Sequence, residues 1–356
     1  MRAHTHRKQG RLASMKFQRG FSLIELMIAM VLSLVLLAGT LVVFSSGKAA
    51  YINIDQLSKV QENGRYALDQ ILRDIRSAGY SGCVKSTTRT PSISTLNSAT
   101  AMPWAFDQPL GGFNGVSTSV WSPALDSSLS TYNPTPLNDV IVIRMPKQGV
   151  MAGRVTSPML GGANPITIAA VTPDPVAAGD IAMISNCTSS HIFQVSAYAT
   201  GGGFGTIAHG TGGSPGNASN TLSVSYGPDA EVVPLVTNVY FVGPASTVGN
   251  GDSLWRKPSS GAVEEIIEGA SALQVLYGID TDDDQQADNY VVASAVTDWN
   301  AVISVRVALL VQSLDQYGAD IDTKLYTVLD TTAGPFNDRR LRQLFTTTAT
   351  LRNKTR

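Results

Sequence analysis

The run Asp280-Thr281-Asp282-Asp283-Asp284-Gln285-Gln286-Ala287-Asp288 places carboxylates at the first, third, fifth and ninth positions of a short segment. Calcium loops use hard oxygen donors at this spacing. Two positions depart from that pattern: Gln285 stands where the sharp-turn glycine belongs, and Val291 occupies the twelfth position in place of an acid. Two readings therefore stand, a calcium site on Asp280, Asp282, Asp284 and Asp288 or a solvated acidic turn between two strands. Gly212-Gly213-Ser214-Pro215-Gly216 has the spacing of a nucleophile elbow. That device needs a strand before it, a helix after it and a backbone N–H following the serine, and Pro215 has no N–H. Gly201-Gly202-Gly203-Phe204-Gly205-Thr206 lacks the lysine of a phosphate-binding loop. His191 and His209 have no metal-ligand spacing to each other or to a cysteine, so they read as ordinary surface or core histidines. No pattern in the chain requires a cofactor, and no catalytic constellation points to an enzyme.

A different kind of chemistry is offered by Glu25. From Phe21 to Phe44 the sequence FSLIELMIAMVLSLVLLAGTLVVF holds this one charge and no proline. About 24 residues in a helix cross a bilayer core. A lone carboxylate in such a helix costs about 2.5–3.5 kcal/mol even on lenient insertion scales, so Glu25 requires a partner. Upstream, Arg2, Arg7, Lys8, Arg11, Lys16 and Arg19 occur with no acidic residue among residues 1–20. Basic leader followed by apolar run is the layout of an export signal. A secretory signal cleaved after its apolar core fits poorly, because that core spans roughly 7–15 residues and ends at small residues.

Arg19-Gly20-Phe21-Ser22-Leu23-Ile24-Glu25-Leu26 resembles the class III signal of type IV pilins and type II secretion pseudopilins. The resemblance implies that a prepilin peptidase cuts after Gly20 and methylates the new amino terminus at Phe21. Glu25 then becomes the fifth residue of the mature chain, paired with the terminal ammonium of a neighbouring subunit. Burying cation and carboxylate together relieves a desolvation cost that neither offsets alone. Met15 begins MKFQRG, a leader of the length usual in type IVa pilins, and is the expected true start within the 1–20 leader.

Beyond the apolar run, Ile54, Leu57, Val60, Gly64, Ala67, Leu68, Ile71 and Ile75 recur at three-to-four spacing and form one stripe on a helix. Gly79 and Gly82-Cys83 end it. The expected helix runs over 21–78, roughly 85 Å long, with its transmembrane half at 21–44. Gly39 and Gly47, between its apolar and amphipathic halves, read either as a place to bend or as tolerated glycines. Residues 79–356 are rich in Ser, Thr and Gly, with strand-like runs at 139–145, 166–171, 180–185, 222–226, 232–242, 273–279, 301–313 and 325–329. The expected fold class is α+β, a long N-terminal pilin helix packed on a β-rich antiparallel head, with flexible loops near 86–138 and 200–220. The chain has two cysteines, Cys83 and Cys187, and both follow the export segment. Export favours one bridge between them over two buried thiols. Closing a loop of about 100 residues stabilises by roughly 2–5 kcal/mol.

The C-terminal third resembles the PilW minor pilins in the order of its pieces. These are Val239-Tyr240-Phe241-Val242, Leu254-Trp255-Arg256, Leu276-Tyr277-Gly278-Ile279-Asp280, Trp299, Val305-Arg306-Val307 with Leu309-Leu310, and Leu351-Arg352-Asn353. The resemblance implies a minor pilin that is anchored in the inner membrane with a periplasmic head, helps to prime pilus assembly, and ends at or near the tip of the filament. Its implied partners are prepilin peptidase, other minor pilins, the major pilin and a tip-associated adhesin, and the dependent processes are motility, adhesion and DNA uptake. A J-type pseudopilin of type II secretion shares the plan and is the nearest alternative, with a membrane-anchored periplasmic enzyme a more distant one. Net charge is -1, which gives no electrostatic footprint for direct nucleic-acid binding.

Overall fold

A computed structural model describes residues 20–82, 92–316 and 320–354. Met15, the rest of the basic leader and Cys83 lie outside the described residues. Helix α1 spans Leu23–Ser77 and runs unbroken through Gly39 and Gly47. Ser22 and Glu25 close its first turn as a capping box. The Ser22 hydroxyl accepts from Glu25 N–H at 3.2 Å, while the Glu25 carboxylate accepts from Ser22 N–H at 3.3 Å. At the other end Gly79 takes a left-handed φ of +68°, the conformation that lets a helix stop at little cost.

The chain divides into two compact units, one through Ile52 and one from Asn53 onward. In the first, every large apolar side chain from Phe21 to Phe44 is more than half exposed, from Leu26 at 53% to Phe21 at 86%. In the second, the helix buries Val60, Gly64, Ala67, Leu68, Ile71 and Ile75 against the head. The stripe starts later than its periodicity implies: Ile54 is 70% and Leu57 is 42% exposed. Cover by the head begins at Gln56, whose amide donates to Asp315, and at Val60. Gly64 is set by close approach, because a Cβ there would fall within the Phe345 ring.

The head begins with β1 (Ile93–Ser94), β2 (Leu110–Ser117), β3 (Val120–Ser122), β4 (Val140–Pro146), β5 (Gly153–Arg154) and β6 (Ile166–Ala169). There follow β7 (Ile181–Ser185), β8 (Ser190–Gln194), β9 (Ala197–Gly201), β10 (Phe204–Ala208), β11 (Glu231–Pro244), β12 (Asp252–Pro258) and β13 (Glu264–Glu268). The C-terminal part adds β14 (Ala270–Ile279), β15 (Asn289–Val291), β16 (Val302–Gln312), β17 (Tyr326–Val328), β18 (Thr331–Ala333) and β19 (Arg342–Thr350). The largest sheet is ordered β1-β8-β7-β11-β4-β2-β3, with β5, β12 and β13 joined at its branches. A second sheet is ordered β15-β14-β16-β19 and is antiparallel throughout. The expected α+β class, a long helix followed by a β-rich, antiparallel-dominated head, is observed.

Period-two alternation places the cores. On β16, Val305, Val307, Leu309 and Val311 face the cluster that also holds Ile71 and Ile75, whereas Ala308 and Leu310 face Ala272 and Val328. Both faces are covered, so the strand reads as a nearly continuous apolar run. Ile71 and Ile75 are fully buried, and each contributes roughly 1.5–3 kcal/mol by leaving water.

Two stretches expected to be loops contain strands. Within 86–138, β2 pairs with β4, because Leu110 and Phe113 bury their side chains on opposite sides of a glycine-rich strand. Within 200–220, β10 pairs with β9 and β6 around Gly202 and Gly203, both at positive φ. Glycine there supplies the turn of a hairpin. The expected strand at 222–226 is irregular chain instead, although Leu222 and Tyr226 are buried in the core of that region.

Asn138 and Asp139, just before β4, join the two larger sheets. Asn138 accepts from the N–H of Leu273 at 2.8 Å, and Asp139 accepts from the N–H groups of Val275 and Gly115 at 2.8 and 3.0 Å. Burial pushes the Asp139 carboxyl up to about 7, against the two backbone donors that hold it down. A carboxyl raised above its unfolded value of about 3.9 binds a proton in the folded state that the unfolded chain has released. Its contribution is therefore fully present below pH 4 and is lost as pH rises to about 7. We expect wild-type stability minus that of Asp139→Asn to fall by a few kcal/mol across this window, on the order set by the pKa difference. Urea midpoints measured from pH 4 to 8 check this, and parallel profiles for the two proteins would refute it.

Candidate functional site

The processing segment is fully accessible. Gly20 is exposed and not helical, Phe21 is 86% exposed, and the helix starts at Leu23. A Cβ on Gly20 would meet no atom within 4 Å, so the fold itself makes no demand for glycine at this position. Glu25 has a local partner that the sequence reading did not identify, the Ser22 of its own capping box. The signal was present as Ser-x-x-Glu at the start of an apolar run. Helix α1 is long and apolar enough to cross a membrane by length and composition.

The second constellation holds the helix in the head. Asp74 is 2% exposed and accepts from Asn238 Nδ2 and Tyr240 Oη, each at 2.7 Å, and from Gln148 Nε2 at 3.1 Å. Burial raises its carboxyl, opposed by the Tyr240 and Asn238 hydrogen bonds. Sequence reasoning passed over Asp74. The available signal was an acid between Ile71 and Ile75 on a buried stripe. Asn353 completes the attachment by donating to the carbonyls of Ala78 at 2.9 Å and Ser77 at 3.4 Å, which the end of the helix leaves without partners.

Several residues of the C-terminal third, among them Tyr240, Val242, Leu254, Tyr277, Val305, Val307 and Leu351, share one core with the helix stripe, whereas Phe241 and Trp255 belong to a separate cluster. In the β11–β12 register Tyr240 opposes Arg256, Phe241 opposes Trp255 and Val242 opposes Leu254. Tyr277 packs edge-on against Trp299 with ring centroids 4.8 Å apart, and Gly112 leaves room for the Tyr277 hydroxyl. Val305 and Val307 pair with Tyr277 and Val275.

The acidic segment lies between β14 and β15. One carboxylate oxygen from each of Asp280, Asp282 and Asp288 lies within 4.8 Å of the other two. Asp284 is not part of that group and instead accepts from the Gln286 backbone at 2.7 Å and its side chain at 3.0 Å. His191 is fully buried between Tyr226 Oη at 2.6 Å and Ser223 Oγ at 2.7 Å. His209 is also buried, with Nε2 3.1 Å from the carbonyl of Asn164. Gly212–Gly216 is irregular chain tied to Gln194, which donates to the carbonyl of Ser214 and accepts from Gly216 N–H. No described cysteine is a free thiol.

Residues 15–41 match the family model of the prokaryotic N-terminal methylation motif, and residues 239–353 match that of type IV pilus-assembly protein W. Comparison with curated proteins gives no match. The first span covers Gly20, the capping box and most of the exposed apolar helix. The second covers the last part of β11, from Val239 on, and every strand after it, through Asn353. With the methylation motif at the start of its exposed helix and the assembly-protein match over the strands that hold that helix in the head, the chain matches a type IV minor pilin of the PilW family.

Proposed function

We propose that this pilin is cleaved after Gly20, methylated at Phe21, held in the inner membrane with its head in the periplasm, and drawn into a complex of minor pilins that primes the filament and stays at or near its tip. The observation that carries this reading is the wholly exposed apolar surface of residues 21–44 with a single carboxylate one turn in. That surface needs either lipid or the matching helices of other pilins around it. Exposed Ile54 and Leu57 extend it beyond the bilayer-length segment. The match to pilus-assembly protein W favours the pilus over a secretion apparatus. Other minor pilins, the major pilin and a tip adhesin are the partners that the head would meet, in support of motility, attachment or DNA uptake. A Cys83–Cys187 bridge formed after export would tie the segment following the helix to the β7–β8 turn.

Glu25 tests the assembly step. Glutamine also serves in a capping box, so Glu25→Gln keeps the helix start and removes only the charge. Glu25→Ala removes both. Each variant is expected to insert and to be cleaved at wild-type levels, yet to appear several-fold less in sheared filaments, consistent with a lost pairing on the order of 1–3 kcal/mol. If Glu25→Gln enters filaments as wild type does, the carboxylate has no pairing role in this subunit.

A further inference from the structure

Elsewhere in the head, where acids converge, the chain supplies a cation. Asp322 and Asp338 meet the buried Arg342 guanidinium at 3.0 and 2.6 Å, and that guanidinium also stacks on Phe336. At the β14–β15 turn, three carboxylates come within 4.8 Å of one another, and none of the three makes a salt bridge among the described residues. Like charges this close repel one another.

The innermost of the three acids is shielded from solvent. Asp280 is 95% buried by its 5% exposure, and its Oδ2 accepts from the N–H of Gln285 at 3.0 Å. Its Oδ1 is buried and has no hydrogen-bond partner. An ionised carboxylate oxygen sealed from water without a donor is a costly arrangement unless a ligand supplies the missing charge. Asp282 and Asp288 are exposed, and each is oriented by the turn: Asp282 Oδ1 accepts from Asp284 N–H at 3.3 Å, and Asp288 Oδ2 accepts from Thr281 N–H at 2.8 Å. These donors leave one oxygen of each acid for a ligand that approaches from the solvent side.

We infer that Asp280, Asp282 and Asp288 form a calcium site that closes the β14–β15 turn, with Asp280 Oδ1 as its inner ligand and the two exposed carboxylates as its outer ones. An all-oxygen donor set suits a hard cation. Calcium accepts the irregular geometry and open coordination of an exposed turn, where waters complete its shell, whereas magnesium demands a near-ideal octahedron. This site goes beyond the pilin reading and does not depend on it. It also differs from the spacing pattern in the sequence, which put Asp284 in the ligand set.

The test is calorimetric titration of calcium chloride into the full chain in detergent micelles, after treatment with a chelator. One calcium per chain is expected, with half-saturation at or below ~1 mM, the range of extracellular modules. Asp282→Asn and Asp288→Asn, both at exposed positions that the fold does not need, should each weaken binding at least ~10-fold, the cost of losing roughly one charged ligand at about 1.4 kcal/mol. Asp284→Asn should bind as wild type. The site is overturned if wild type shows no saturable binding up to ~1 mM. It is equally overturned if magnesium produces the same isotherm, or if all three variants lose binding alike, as a diffuse acidic surface would.

Discussion

The full chain carrying Gly20→Trp is expected to keep its leader and to be absent from sheared filaments, whereas wild type is expected to lose the residues through Gly20 and to begin at a methylated Phe21. The position separates processing from folding. Because a Cβ at Gly20 meets no atom within 4 Å and helix α1 begins at Leu23, a bulky residue there disturbs neither the capping box nor the head. On the proposed processing, any demand for glycine would come instead from the peptidase, in whose cleft a small residue eases close backbone approach. Intact mass measurement on membrane-extracted protein reads the outcome directly. Wild type that keeps its leader in cells with an active prepilin peptidase would remove the basis for the pilin mechanism. A processed Gly20→Trp would instead move the specificity to Phe21 and beyond.

Asp74→Ala is expected to lower the stability of the head by about 2–4 kcal/mol, with Asp74→Asn less severe. The alanine variant leaves the Asn238 amide and the Tyr240 hydroxyl buried with their common acceptor gone, and it empties a site that Gln148 also reaches. An asparagine keeps one acceptor oxygen and so retains part of the network. The loss falls at the attachment of helix to sheet, since Asp74 lies between the fully buried Ile71 and Ile75 and its partners are on β11 and just after β4. Urea unfolding of the detergent-solubilised chain, followed by tyrosine and tryptophan fluorescence, measures the change. A shift under ~0.5 kcal/mol, the range of ordinary surface substitutions, would show that Asp74 does not anchor the helix.

The attachment joins residues within the span that matches the assembly-protein family to the end of the helix. A helix leaves backbone N–H groups at its start and carbonyls at its end without intrahelical partners. Ser22 and Glu25 cap the first turn, and Asn353 takes up the carbonyls left by the last. The head thereby folds its C-terminus back onto the end of its N-terminal helix, a closure between residues 275 positions apart in the chain.

Local rules in the sequence by themselves determined the anchor, the processing signal and the helix. A predominantly apolar segment over 21–44, Gly20-Phe21 followed by Glu25, and a three-to-four stripe through Ile75 each depend only on near neighbours in the chain, and so did the strongest strands, at 232–242 and 301–313. Only the tertiary structure decided where the head begins to cover the helix. Ile54 and Leu57 satisfy the same periodicity as Ile71 and Ile75, but burial depends on which strand lies opposite. The same holds for β2, whose glycines read as loop until β4 pairs with it, and for Asp74, whose acceptable burial depends on donors more than 70 residues away on Gln148, Asn238 and Tyr240. It holds again for the acidic turn. Alternate spacing brought Asp284 into the set, whereas the turn geometry selected Asp280, Asp282 and Asp288, because which carboxylates converge depends on where β15 returns alongside β14.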